Sequence, residues 1–440
     1  MIQQFTTKRD IIRGFANAMN LISPEVQNHH EKVSYLCYRL AEAVGMPEAQ
    51  KRLAFFGGLM HDIGGVLKEG NVSLLELEQN ARGVSVNGAK LLRMLPLTDP
   101  FASIVQESQT PWERLKRTFK TLHAPQRIGQ IVHLADTVTL LLNDKESALN
   151  QVDHVKECIH NIGEREFGPE VLAGFDKLCG IEAVWLDVVY RPEIFLDLIT
   201  IDQSFSLDET VRLTEFMSKI VDFRSPFTAM HSAGVAATAV ALAELSNMSE
   251  DECGMMRIAG YLHDIGKLKI PNAILDKPGK LTDHEFNIMK EHAYYSWILL
   301  KDIRGFETIS KWAALHHEKL NGKGYPFHMM KEELTLGSRI MTVADIFSAL
   351  TEDRPYRRSM DKEKVIGILR GDAGSGLISG GVVELLIDHY DAINARRDAE
   401  SRAASKKYQQ SLEKAREASG INEHSADHGA TVGAEGMVFL

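Results

Sequence analysis

Apolar residues recur along this chain at three- and four-residue spacing, as in Val33 to Val44, Leu91 to Leu95 and Val235 to Leu245, while strand-like alternation is scarce. Each such stretch carries one apolar stripe, so the expected fold class is all-α. Helix starts are marked at Ser23-Pro24-Glu25, Ser249-Glu250-Asp251 and Thr282-Asp283-His284-Glu285, where a small polar side chain can accept from free first-turn amides. The pattern lapses at Tyr190-Arg191-Pro192-Glu193. Ser204 to Thr210 then reads as an exposed connection into a helix around Val211 to Val221, which Ser225-Pro226 breaks. Beyond Tyr390, Ala, Arg, Glu and Lys dominate through Ser419. That composition predicts a long solvated helix, which could pair with a second copy through Ile393, Tyr408 and Leu412, so a homodimer stays open. Residues 421–440 hold no periodicity and are expected to be disordered.

Sliding the sequence on itself exposes an internal repeat at an offset of 202 residues. His29 falls on His231, and His61-Asp62-Ile63-Gly64 falls on His263-Asp264-Ile265-Gly266, with no insertion between. Val33, Leu40, Ala41, Glu42, Met46, Glu48 and Gly58 match Val235, Leu242, Ala243, Glu244, Met248, Glu250 and Gly260, and Leu134-Ala135-Asp136 resembles Val343-Ala344-Asp345. The chain therefore holds two copies of one helical unit.

Composition narrows the possible partners. A formal charge of -10 over 440 residues argues against a grip on long nucleic acid, but a small anion could still find a local basic pocket. Cys37, Cys158, Cys179 and Cys253 lie far apart, which suits reduced core thiols better than a disulfide frame. No basic-then-apolar leader is evident, and no run approaches the roughly 18 apolar residues that cross a bilayer, so a cytoplasmic location without membrane insertion is expected.

The candidate chemistry gathers in the second copy. His231, His263-Asp264, His292, His316-His317 and Asp345 make five imidazoles and two carboxylates. An adjacent His-Asp pair offers one nitrogen and two oxygens, enough for the carboxylate to bridge two cations. With Lys267, Ile270-Pro271-Asn272-Ala273-Ile274-Leu275-Asp276-Lys277-Pro278-Gly279, Gly322-Lys323-Gly324-Tyr325-Pro326 and Asp353-Arg354-Pro355-Tyr356-Arg357, the stretch from His231 to Arg358 resembles the HD-GYP family of bacterial cyclic-dinucleotide phosphodiesterases. The sequence departs from the family pattern at Asn321 and Ser348, where the family has aspartates.

The resemblance implies tandem HD domains: a degenerate one over 1–200, a catalytic one over 201–395, and a charged helix and tail over 396–440. It also implies one metal on His231, His263, Asp264 and Asp345 and another on Asp264, His292, His316 and His317, with Asp264 bridging. Iron or manganese is the family's preference, with zinc or magnesium open. The position of a third metal's glutamate is Phe227, so two metals are expected. By the same resemblance Lys267 assists catalysis, Arg354 and Arg357 hold a phosphate, Lys323 and Tyr325 lie near the bases, and Arg339 is structural. The implied reaction opens a cyclic dinucleotide to a linear 5′-phosphorylated product. The paired architecture and Ser348 tilt the expectation toward 3′3′-cyclic GMP-AMP over cyclic di-GMP. A binding module that signals without turnover is the alternative.

The first copy keeps His29, His61, Asp62 and Asp136, a possible site for one cation. Gly65 replaces the lysine and Gln106-Glu107-Ser108 falls near the place of the double histidine. A regulatory domain or a weak 5′-nucleotidase is expected there.

Overall fold

The computed structural model describes residues 5–21, 28–67, 81–93, 99–191, 198, 204–222, 231–352 and 358–419. Helices make up most of the described residues, as the periodicity implies. The repeat is visible element by element. His29–Ala43 and Glu48–Met60 are followed by a short 3-10 turn at Ile63–Leu67, and His231–Leu245 and Glu250–Leu262 by one at Ile265–Lys269.

The turn between the paired helices is also repeated. Met46 and Met248 donate their amides to Ala41 and Ala243 at 2.9 and 3.1 Å, and the residues before them, Gly45 and Asn247, sit at φ 75° and 57°. Left-handed backbone of this kind suits Gly, and Asn tolerates it better than most residues. Farther on, Gly58 and Gly260 let the helices cross at close range. A Cβ on Gly260 would lie 2.5 Å from Ala236 Cα, and one on Gly58 would lie 3.1 Å from Ser34 Cα. The second pair of helices is opened by a capping box in which Ser249 accepts from the Glu252 amide.

Two apolar cores result. One is built from first-copy residues such as Val33, Leu40, Phe55, Ile131 and Trp185. The other joins Val235, Leu262, Ile340 and Phe347 to Met60, Ile63 and Leu92 of the first copy and to Ile11 and Met19 of the N-terminal helix Lys8–Asn20. That helix, grouped with the first copy on sequence grounds, packs Phe15 against Phe216 at 6.5 Å, and Gly14 meets Ile303.

Two expectations change. Ser204–Phe205 is not a free connection: it pairs with Thr6–Thr7 in a two-stranded antiparallel ribbon, and Thr210 is fully buried inside the helix Leu207–Asp222. The C-terminal helix Tyr390–Ser419 is not solvated over its first turns, where Tyr390, Ile393, Arg397 and Ser401 are buried. The reason lies on its partner. Gly234 leaves no side chain in the way, and a Cβ there would be 2.7 Å from Ser401 Oγ. Ile393 is thus spent on the intrachain core. The side chains of Tyr408 and Leu412, and residues 23–25, 192–193, 225–227, 354, 357 and 421–440, lie outside the described residues. Of the cysteines, Cys37 is buried and the other three are half-buried. Among the described residues no helix is long and apolar enough to cross a membrane.

Candidate metal centres

His263 ends the Glu250–Leu262 helix and Asp264 opens the tight turn after it. The turn is held against the Asp283–Leu300 helix, because the Gly266 amide donates to Ser296 Oγ at 3.0 Å and that hydroxyl donates to the His263 carbonyl at 2.7 Å. Glycine is required at 266, since a Cβ would lie 2.0 Å from the His292 carbonyl oxygen. His292 is thereby brought to face Asp264.

The imidazoles are aimed by their own backbone. His263, His292 and His316 each donate Nδ1–H to the carbonyl three residues back, at 2.8, 2.6 and 2.6 Å, so each Nε2 is left as a lone-pair donor pointing inward. His263 Nε2 is 3.2 Å from Asp264 Oδ2, while His292 Nε2 and His316 Nε2 are 3.4 and 3.9 Å from Oδ1 of the same carboxylate. His231 Nε2 lies 3.2 Å from Asp345 Oδ1, which is 3.9 Å from His263 Nε2. Donor atoms of His231, His263 and Asp264 fall within 4.8 Å of one another, as do those of His292, His316 and His317. All seven residues singled out from sequence converge, with Asp264 between the two groups.

Charge is distributed unevenly across this cluster. Burial works against a cation at His231, yet Glu352 and Asp345 raise its pKa to about 10. Burial also opposes ionisation of Asp264, but His263 and Lys267 hold it well below the usual carboxylate range. On the other flank, burial drives His292 to about 4 and His316 to about 3, and His317 falls as well. Those three rings are neutral bases. A nitrogen and oxygen donor set with two carboxylates suits a divalent transition metal, and the buried His263 Nε2, which has no hydrogen-bond partner, fits such an ion. Lys267 Nζ lies 2.5 Å from Asp264 Oδ2.

Glu352 was not singled out from sequence. Its Oε2 is 3.0 Å from Nδ1 of His231, and its place seven residues after Asp345, two turns along the same helical face, was the available signal.

The first copy has half of this arrangement. His29 Nε2 is 3.3 Å from His61 Nε2 and 3.2 Å from Asp136 Oδ1, and His61 Nε2 is 3.3 Å from Asp62 Oδ2. His61 donates Nδ1–H to the Gly58 carbonyl at 2.7 Å, as His263 does to Gly260. The other half is replaced. A Cβ on Gly64 would meet the Val84 carbonyl oxygen at 2.0 Å, just as one on Gly266 meets that of His292, so Val84 stands where the second copy has its histidine. Gln109, just past the triplet expected there, enters after the Asp99–Glu107 helix and donates Nε2–H to Asp136 Oδ2 at 2.8 Å. Gln106 bonds Arg93, and Ser108 bonds the Val105 carbonyl.

Known proteins bear on this pairing of sites. HD-domain family models match residues 26–141 and 215–380. The 3′3′-cGAMP-specific phosphodiesterase 1 of Vibrio cholerae is 30% identical over 84% of this chain and 89% of its own length. The chain belongs to the HD-domain phosphodiesterases. A cyclic di-GMP phosphodiesterase of Pseudomonas aeruginosa is 38% identical over 32% of this HD-domain phosphodiesterase and 34% of that protein. The crystal structure of a V. cholerae cyclic GMP-AMP-specific phosphodiesterase superposes with a TM-score of 0.60 at 22% identity, covering 88% of this chain and 98% of that one, which establishes the shared fold.

In this HD-domain phosphodiesterase the Gly-Tyr-Pro loop is shaped from below by Glu318. That buried carboxylate accepts from the amides of Phe327, His328 and Met329 at 2.7, 3.1 and 3.1 Å. The loop lays Tyr325 against His317, with ring centroids 4.7 Å apart, while Lys323 is exposed. Arg339 donates to the Lys331 carbonyl at 2.7 Å, a structural bond. Ser348 is fully buried on the helix that carries Asp345. Arg354 and Arg357 fall outside the described residues.

Proposed function

We propose that the second copy hydrolyses a cyclic dinucleotide second messenger, with 3′3′-cyclic GMP-AMP favoured over cyclic di-GMP, giving a linear 5′-phosphorylated dinucleotide. The observation that carries this is Asp264, whose two oxygens face different imidazole groups, Oδ2 toward His263 and Oδ1 toward His292 and His316. In this reading His231, His263, Asp264 and Asp345 hold one cation and Asp264, His292, His316 and His317 the other. Iron or manganese suits that mixture of donors. Two cations so held would supply an activated water and charge for the phosphoryl oxygens. Lys267, at the rim of the cluster, neutralises a nonbridging oxygen or delivers a proton to the departing 3′ oxygen. Arg354 and Arg357 take the second phosphate, and Tyr325 and Lys323 flank the bases. The base preference rests on the likeness, over most of both chains, to a 3′3′-cGAMP-specific relative.

The test is a side-by-side incubation of the manganese-loaded protein with cyclic GMP-AMP, cyclic di-GMP and cyclic di-AMP, following loss of each ring. Fastest loss of cyclic GMP-AMP is expected. Binding of any of the three without turnover would instead make the chain a silent receptor.

A second reading concerns the first copy, where donor atoms of His29, His61 and Asp136 lie within 4.8 Å of one another. It holds one cation and removes a 5′ phosphate from the linear product, or it is purely regulatory; inorganic phosphate release decides between them.

A further inference from the structure

The two copies treat their first histidine differently. His29 Nδ1 faces the neutral hydroxyl of Thr139 at 3.4 Å, whereas His231 Nδ1 faces the carboxylate of Glu352 at 3.0 Å. The room for that carboxylate comes from Gly234, where a Cβ would lie 2.8 Å from Glu352 Oε1. At the equivalent place the first copy has Lys32, whose buried chain reaches out to Asp144 at 2.6 Å. Glu352 in turn is met by the C-terminal helix. Arg397, itself buried, places Nη1 3.6 Å from Glu352 Oε1 and donates Nη2–H to the Thr351 carbonyl at 3.3 Å. Arg397 is held in place by Asn394 and Asp398.

We propose that Glu352 and Arg397 are positioning residues through which the C-terminal helix sets the cation affinity of the His231 side of the second site. A carboxylate on the far nitrogen of a ligating imidazole fixes its orientation and raises its basicity, and losing such a partner typically weakens metal binding roughly 10- to 100-fold. Arg397 places its charge beside the carboxylate, at ion-pair distance and without a hydrogen bond to Oε1, and bonds the end of the Leu336–Thr351 helix, which also carries Asp345. The first copy has no such chain of groups among its described residues. The proposal rests on reading His231 as a ligand.

The experiment strips the full-length protein of metal and titrates it with manganese by calorimetry. Glu352→Gln should weaken one binding step about 10- to 100-fold and leave the other unchanged. Arg397→Met should weaken the same step by less, and Arg397→Lys should restore part of the loss. Arg396→Gln is the control, because it breaks the Arg396–Glu244 pair that ties the same C-terminal helix to the His231–Leu245 helix away from the site. It should leave both steps as in the wild type. Wild-type manganese affinity in Glu352→Gln overturns the proposal, and so does an Arg396→Gln loss equal to that of Arg397→Met, which would mean that helix docking alone is being read. Circular dichroism melts exclude unfolding. Should the wild type open no cyclic dinucleotide while Glu352→Gln still loses manganese, the functional reading fails and the positioning pair stands.

Discussion

Oδ1 of Asp264 lies 3.4 Å from Nε2 of His292, although Asp264 sits in a turn and His292 inside the Asp283–Leu300 helix, and their contact depends on Gly266 between them. The other oxygen of Asp264 is already directed at His263. No other carboxylate among the described residues stands between the two imidazole groups in this way. Asp264→Ala should therefore lower ring opening by at least about a thousandfold and reduce bound metal, which elemental analysis of the purified variant would read. Full activity with two metals retained would end the bridged reading.

On the proposed reading, Lys267 separates catalysis from metal retention. Its ammonium touches Asp264 from the rim, so removing it leaves every nitrogen donor in place. Lys267→Met should retain its metal but lose about 10²- to 10³-fold in kcat, with Lys267→Arg recovering part of the loss. A fall in metal content parallel to the fall in rate would assign Lys267 a structural part instead.

The repeat and the seven ligand candidates were legible because both are written in residue identity at fixed spacing. The offset that aligns His29 with His231 also aligns the bounds of four helices, so the pairing of helices could be read without coordinates. What replaced the missing ligands was not legible. Val84 and Gln109 carry no motif, and only the packing of Gly64 and the reach of an amide to Asp136 identify them. Docking of the Tyr390–Ser419 helix was hidden for another reason. Its buried face contains Arg397 and Ser401, polar residues that look solvated until Gly234 and Glu352 are seen opposite them.

Gly266 offers a stability test that the chemistry does not require. Adding one methyl there places carbon against the His292 carbonyl and the Ser296 amide, both backbone atoms that cannot swing aside. Gly266→Ala should cost about 2–3 kcal/mol and lower the melting temperature, with loss of the His292-side metal. An unchanged melt would show that the turn can shift without cost.

The first copy is tested most directly at His61. Its Nε2 is aimed by the Gly58 carbonyl at His29, Asp62 and Asp136, while Val84 and the Gln109 amide take up the positions from which a second cation would be held. One cation can polarise a phosphate but gives no two-sided clamp for a diester, so any activity left there should be removal of a phosphomonoester. His61→Ala removes a donor of that site and none of the second, whose proposed ligands come from His231 onward. Ring opening should stay nearly unchanged, and any slower release of phosphate from the linear product should vanish. The opposite outcome has a physical route as well. Met60 and Ile63 flank His61 and belong to the core shared with the second copy, so a disturbance there could reach Leu262 and Ile265. Loss of ring opening in His61→Ala, with an unaltered circular dichroism spectrum, would show that the first copy supports the second through that core.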